Sequence, residues 1–176
     1  MNKIFIFCAM LFFLTMFSCG RVRKEVALGY AHEAEAIIAQ GGDTLAALRL
    51  YDRAIALYPL YPMFFYNRGL IRENLGDSIG GLEDFRRSIE IDPTFEAGYW
   101  VIGLALYDKG KYLEAISYFE KLLYLSPTAL MTYYGLGLAY YRLGKFERAI
   151  YNFKRFDELD KSNRDSEWTN YYLGLS

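Results

Sequence analysis

The stretch EAGYWVIGLALYDKGKYLEAISYFEKLLYLSPTA, residues Glu96–Ala129, decides the fold. It reads as two helical runs joined by a short turn. The first run carries Gly103 in its middle, where glycine costs ~1 kcal/mol against alanine, so a second helix is expected to cross closely there. It stops at Gly110, a position suited to the left-handed end of a helix. The second run starts after Lys111 and ends before Pro127, which cannot continue it.

The same punctuation recurs on both sides. Pro59, Pro93 and Pro127 stand 34 residues apart, with Lys161 at the next step. Gly42, Gly76, Gly110 and Gly144 share that period, and so do Tyr51, Phe85, Phe119 and Phe153. Ala47, Gly81, Ala115 and Ala149 form another column; Gly69, Gly103 and Gly137 form a fifth, which Glu35 breaks in the first unit. A fixed period of this length marks a repeat architecture in which each helix pair buries one face only on its neighbours.

The pattern resembles the tetratricopeptide repeat. It is carried most clearly by Tyr99-Trp100-Val101-Ile102-Gly103, followed by Tyr107, Gly110, Tyr112, Ala115, Phe119 and Pro127. The expected fold is an all-α, TPR-type α-solenoid of four helix-turn-helix repeats plus a C-terminal capping helix. The units are 28–61, 62–95, 96–129 and 130–163. Over 164–176, Ser166 is a candidate N-cap, and Trp168, Tyr171, Tyr172 and Leu175 lie at helical spacing, which predicts the covering helix. Gly42, Gly76, Gly110 and Gly144 are expected to be the left-handed stops.

The chain begins differently. Residues 1–18 run from Lys3 through the apolar Ile4–Phe17 to Ser18, the order of a bacterial secretory signal. The apolar run is shorter than the ~20 residues that span a bilayer core. Thr15-Met16-Phe17-Ser18-Cys19 resembles the lipobox of bacterial lipoproteins, with Met16 and Phe17 departing from its usual residues. That resemblance implies a lipidated Cys19, a short tether over 19–27, and a place in the bacterial cell envelope. The expected site is the outer membrane facing the periplasm. An ordinary cleaved signal and an uncleaved anchor are the alternatives. Arg21, Arg23 and Lys24 would attract anionic lipid or simply be solvated.

Composition narrows the function. The 176 residues carry 20 Lys+Arg against 21 Asp+Glu, a net charge of -1, which argues against nucleic acid as a partner. One His and two Cys leave little for zinc, disulfides or a Cys/His catalytic pair. His32 has no ligand-type partner at metal spacing. Gly135-Leu136-Gly137 continues to Tyr140, so a dinucleotide fingerprint fails at its third glycine. No catalytic residue, metal or cofactor is expected. Glu83 with Asp84, and Glu90 with Asp92, read as solvated helix faces.

What the sequence has in excess is aromatic area: 17 Tyr and 13 Phe. The family resemblance implies that the first helix of each pair lines a concave surface, with His32, Met63, Tyr66, Leu70, Trp100, Leu104, Tyr107, Met131, Tyr134, Leu138 and Tyr141 facing it. Tyr and Trp give contact area at low entropic cost. The expected role is a scaffold or adaptor that binds an apolar or aromatic peptide of an envelope protein. No residue in the His32/Tyr66/Trp100/Tyr134 or Ala36/Leu70/Leu104/Leu138 columns is Lys, Arg or Asn, which disfavours a clamp for a peptide's terminal carboxylate. A hydrophobic small-molecule or lipid carrier, and a structural subunit using the face as an oligomer interface, remain open. So does the possibility that these side chains only pack between repeats. Arg68 and Arg72, four apart on one helical face, read either as an anion site or as internal partners, Arg68 for Asp84 and Arg72 for Glu83.

Overall fold

The structure, a computed structural model, describes residues 2–160, with side chains from Gly20 onward. Among the described residues eight helices follow one another and there is no strand. They are α1 (Asn2–Ala39), α2 (Thr44–Leu57), α3 (Pro62–Asn74), α4 (Ser78–Ile91), α5 (Glu96–Asp108), α6 (Tyr112–Leu125), α7 (Leu130–Arg142) and α8 (Phe146–Leu159). The chain divides within α4 into two compact units, one up to Asp84 and one from Phe85 on. Among residues 20–160 no helix is long and apolar enough to cross a membrane. The final helix expected over 164–176 lies outside the described residues.

In the first unit α1 presents Ala27, Ala31 and Ala34, all buried, at helical spacing. Small side chains let α2 come close, and it answers with Ala47, Leu50, Tyr51 and Ala54. Phe64 and Ile71 of α3 complete this core. The tether expected over 19–27 is helical here, continuous with α1, and Ala27 is already fully buried. Nothing between Gly20 and Ala27 breaks a helix, and the packing face begins one residue before the expected repeat.

In the second unit the core alternates along four helices. Tyr99, Ile102 and Leu106 of α5 meet Ala115, Ile116, Phe119 and Leu122 of α6; Leu136, Ala139 and Tyr140 of α7 meet Ala149 and Phe153 of α8. The mid-helix glycines are the points of closest approach. A Cβ on Gly103 would stand 2.3 Å from Cε1 of Phe119, and one on Gly137 would stand 2.5 Å from Cε1 of Phe153. A Cβ on Gly135 would stand 3.0 Å from Cζ and 3.2 Å from Cε2 of the same Phe119 ring. One ring is thus held between the glycine of its own hairpin and a glycine of the next.

The first helix of each pair ends in the same way. The left-handed residues are Gly41, Gly76, Gly110 and Gly144, with φ between 68° and 85°. In α5 the Gly110 amide donates to Tyr107 and the Lys111 amide to Leu106, the paired bonds of a Schellman stop. The first unit corrects one expectation: the stop is Gly41, not Gly42. There α1 ends one residue early, the Gly41 amide donates to Ile38, and Gly42 takes the following position with its amide on Ile37. Asp43 then caps α2 by accepting from the Leu45 amide at 2.9 Å. The second helices end before each proline, and a tyrosine anchors two of these exits. Tyr99 donates to the Pro93 carbonyl at 3.1 Å, and Tyr133 donates to that of Pro127 at 3.0 Å.

Candidate functional site

In the second unit α5 and α7 share an apolar face. Trp100 and Met131 meet in a hollow of about 390 Å³ whose walls include Ala97, Leu122, Leu130 and Thr132, with Glu96 at its edge. Met131 is 50% exposed and Leu104 37% exposed. Trp100 is half-buried: one face lies toward Phe119, ring centroids 5.5 Å apart, and the edge reaches Gly135. It therefore contributes to packing and to the surface together.

The other expected residues are distributed along the same helices. Tyr134 packs on Phe153 and Phe156, and Leu138 is half-buried. Tyr107 and Tyr141, at the C-terminal ends of α5 and α7, pair with Tyr112 at 5.2 Å and Phe146 at 5.7 Å. Arg142 Nε donates to the Tyr107 hydroxyl at 3.1 Å. These rings are therefore partly used in packing. None of them is sealed from solvent.

In the first unit Met63 and Leu70 are exposed, Tyr66 is half-buried, and His32 is exposed on α1. Burial raises the pKa of the Tyr66 hydroxyl. Leu70 alone of this set enters a larger pocket of about 650 Å³ among α1, α2 and α3. Three polar residues of that pocket, Glu35, Tyr51 and Asn67, are not among the residues the sequence singles out for the site. Asn67 Nδ2 donates to the Tyr51 hydroxyl at 2.9 Å, and both approach Glu35 Oε1, at 3.4 Å from Asn67 and 3.5 Å from Tyr51. Tyr51 is fully buried, and desolvation, opposed by the Asn67 hydrogen bond and assisted by the Glu35 carboxylate, pushes its pKa up to about 12. The signal was present in the columns: Glu35 stands where the other units have glycine, and Tyr51 where they have phenylalanine.

Arg68 and Arg72 are internal partners, which retires the anion site. Arg68 grips Asp84 through Nε at 2.8 Å and Nη2 at 2.6 Å, and reaches Asp52 with Nη1 at 2.7 Å. Arg72 also binds Asp84, at 2.9 Å, and lies 3.8 Å from Asp77; it does not take the expected Glu83. Asp84 is 3% exposed, a correction to the solvated face expected for it. Its burial is tolerated because both of its oxygens are engaged by guanidinium groups.

Among the described residues no group of three or more His, Cys, Asp or Glu is placed to hold a metal ion. Cys19 lies outside the described side chains.

Two tetratricopeptide-repeat family models match the chain, one over residues 39–94 and the other over residues 94–156. The chain belongs to the tetratricopeptide-repeat family. No curated protein sequence matches it. Among solved structures, MamA 41-end from Desulfovibrio magneticus RS-1 is similar at 22% identity and TM-score 0.71, covering 84% of this chain and 85% of that one. YrrB, described as a TPR protein with an unusual peptide-binding site, is similar at 17% identity and TM-score 0.70, covering 85% of this chain and 75% of that one. The first TPR of Spaghetti (RPAP3), bound to the HSP90 peptide SRMEEVD, is similar at 20% identity and TM-score 0.64, covering 69% of this chain and 95% of that one. These likenesses establish a shared all-helical repeat fold.

Proposed function

We propose that this protein is a non-enzymatic protein-interaction scaffold that binds apolar or aromatic peptide segments on the exposed faces of its first helices. It is held at a bacterial membrane by a lipid on Cys19, in the outer membrane and facing the periplasm. The observation that carries the binding role is the Trp100–Met131 hollow, an accessible apolar surface on α5 and α7. The peptide-holding descriptions of YrrB and of Spaghetti support the same reading by analogy.

The decisive variant is Leu104→Ser with Met131→Ser, because both side chains are exposed and contribute little to the core. Used as bait against native envelope extracts, it is expected to lose partner capture by about tenfold or more. Its melting temperature should stay near that of the parent. Equal capture by both forms would overturn the apolar-face reading. Recovery of a hydrophobic small molecule, or of a second copy of the chain, would point to the carrier or the oligomer instead. Cys19→Ser is expected to release the protein from membrane fractions and abolish lipid labelling. Unchanged labelling would reject the anchor.

A further inference from the structure

The pocket of the first unit differs in chemistry from the apolar hollow of the second. At about 650 Å³ it lies within the ~300–1,000 Å³ range of ligand pockets. Its only charged lining residue is Glu35. The Asn67 amide donates to the Tyr51 hydroxyl at 2.9 Å, and both groups also approach Glu35 Oε1, at distances near the limit of a hydrogen bond. A carboxylate accepts at about four lone-pair sites, so two long bonds on one oxygen leave most of its capacity unused. Among the described residues no Lys, Arg or His pairs with Glu35. The walls beside it are aliphatic, from Ile38, Leu70 and Ile71.

Glu35 is solvent-exposed beside the apolar side chains of Ile38 and Leu70, which are exposed as well, and such a surface fits a group that is aliphatic along its length and cationic at its tip. We propose that this pocket receives the side chain of a lysine or arginine from the bound polypeptide, its stem against Ile38, Leu70 and Ile71 and its charge on Glu35. The inference rests on the peptide-binding reading and deepens it: the ligand would carry a basic residue as well as apolar ones. The argument is charge complementarity within a shaped cavity. An acidic side chain would be repelled by Glu35, and a neutral one would gain nothing from its charge.

The test uses the full chain and amide chemical shifts, with N-acetyl-lysine methylamide as probe. The arginine, norleucine and phenylalanine analogues are the comparison arms. The lysine and arginine probes are expected to give saturable shifts at the Gly41 and Gly42 amides and the Asn67 side-chain amide. The norleucine probe is expected to give none. Glu35→Gln, which keeps an oxygen acceptor for Tyr51, is expected to weaken the lysine probe by about two- to fivefold, the loss of one solvent-exposed ion pair. Equal shifts with norleucine, no saturation with lysine, or undiminished binding by the variant would each overturn the proposal. If Glu35→Gln fails to fold, the contrast between lysine and norleucine on the parent protein still decides. The phenylalanine probe reports separately on the Trp100 indole. Lysine failing while phenylalanine binds there sinks only this inference; phenylalanine failing while lysine binds sinks the apolar-face reading instead.

Discussion

The ring of Phe119 occupies the space that a side chain on Gly103 would need. A Cβ there would approach three carbons of the ring, at 2.3, 2.7 and 2.9 Å, and the ring is fully buried with Gly135 behind it. The glycine is therefore a seat for the ring and not a point of slack in α5.

Gly103→Ala should destabilise the protein. Overpacking a filled core costs ~1–3 kcal/mol, of which the better helix propensity of alanine returns at most ~1. Gly29→Ala is the internal control: it lies in α1 with nothing within 4 Å of its would-be Cβ, and should stabilise by ~0.5–1 kcal/mol. Thermal melts of the two variants should move in opposite directions. Equal shifts would mean that the seat does not matter.

Arg68→Ala should cost ~2–4 kcal/mol, because Asp84 stays buried with only Arg72 left to bind it. Arg68→Lys should recover part of this, since a single ammonium cannot reproduce the forked contact with Asp84 and also reach Asp52. Denaturant titrations of the three proteins check the order: parent, then lysine, then alanine.

Alkaline stability should depend on Tyr51. Its hydroxyl titrates near 10 in the unfolded chain and at about 12 in the fold, so folding favours the protonated form. The contribution is intact below pH ~10 and is lost as pH rises toward ~12, by an amount of order 2 kcal/mol. Tyr51→Phe should flatten that decline without removing it, since burial also raises Tyr66, Tyr99 and Tyr140. A slope identical to the parent's above pH 10 would show that folding does not raise the Tyr51 pKa.

Gly41→Ala should cost ~1 kcal/mol and Gly41→Asn less, because asparagine enters the left-handed region more readily than alanine. If Gly41→Ala is neutral by thermal melt, α1 stops elsewhere.

The repeat was legible because its constraints are local and periodic. Gly103, Gly110, Phe119 and Pro127 each fix a backbone event, and copies spaced 34 apart reinforce one another. The choice between Gly41 and Gly42 was not legible, since either can take a positive φ and the winner depends on where α1 stops. The Arg68–Asp84 pair was legible from the sequence, whereas the second arginine on Asp84, Arg72, was not, because it reaches that carboxylate and not Glu83 only once α3 and α4 have packed. The groove columns put Trp100 and Met131 on successive first helices, and the two line one hollow. Glu35 reads as a break in the glycine column and Tyr51 as an ordinary member of the aromatic one, so nothing in either column alone joins them to Asn67. Taken jointly, a carboxylate in place of glycine and a phenol in place of phenylalanine sixteen residues later compensate each other.

The Gly103–Phe119 seat recurs as Gly137–Phe153, so a stretch copied in tandem would arrive with its internal clasp already matched. Lengthening by duplication needs no fresh invention inside such a hairpin. The Glu35–Tyr51 hairpin is a poorer template. Its clasp has been traded for a polar mouth, and evolution is free to tune that end for recognition while the later copies preserve the architecture.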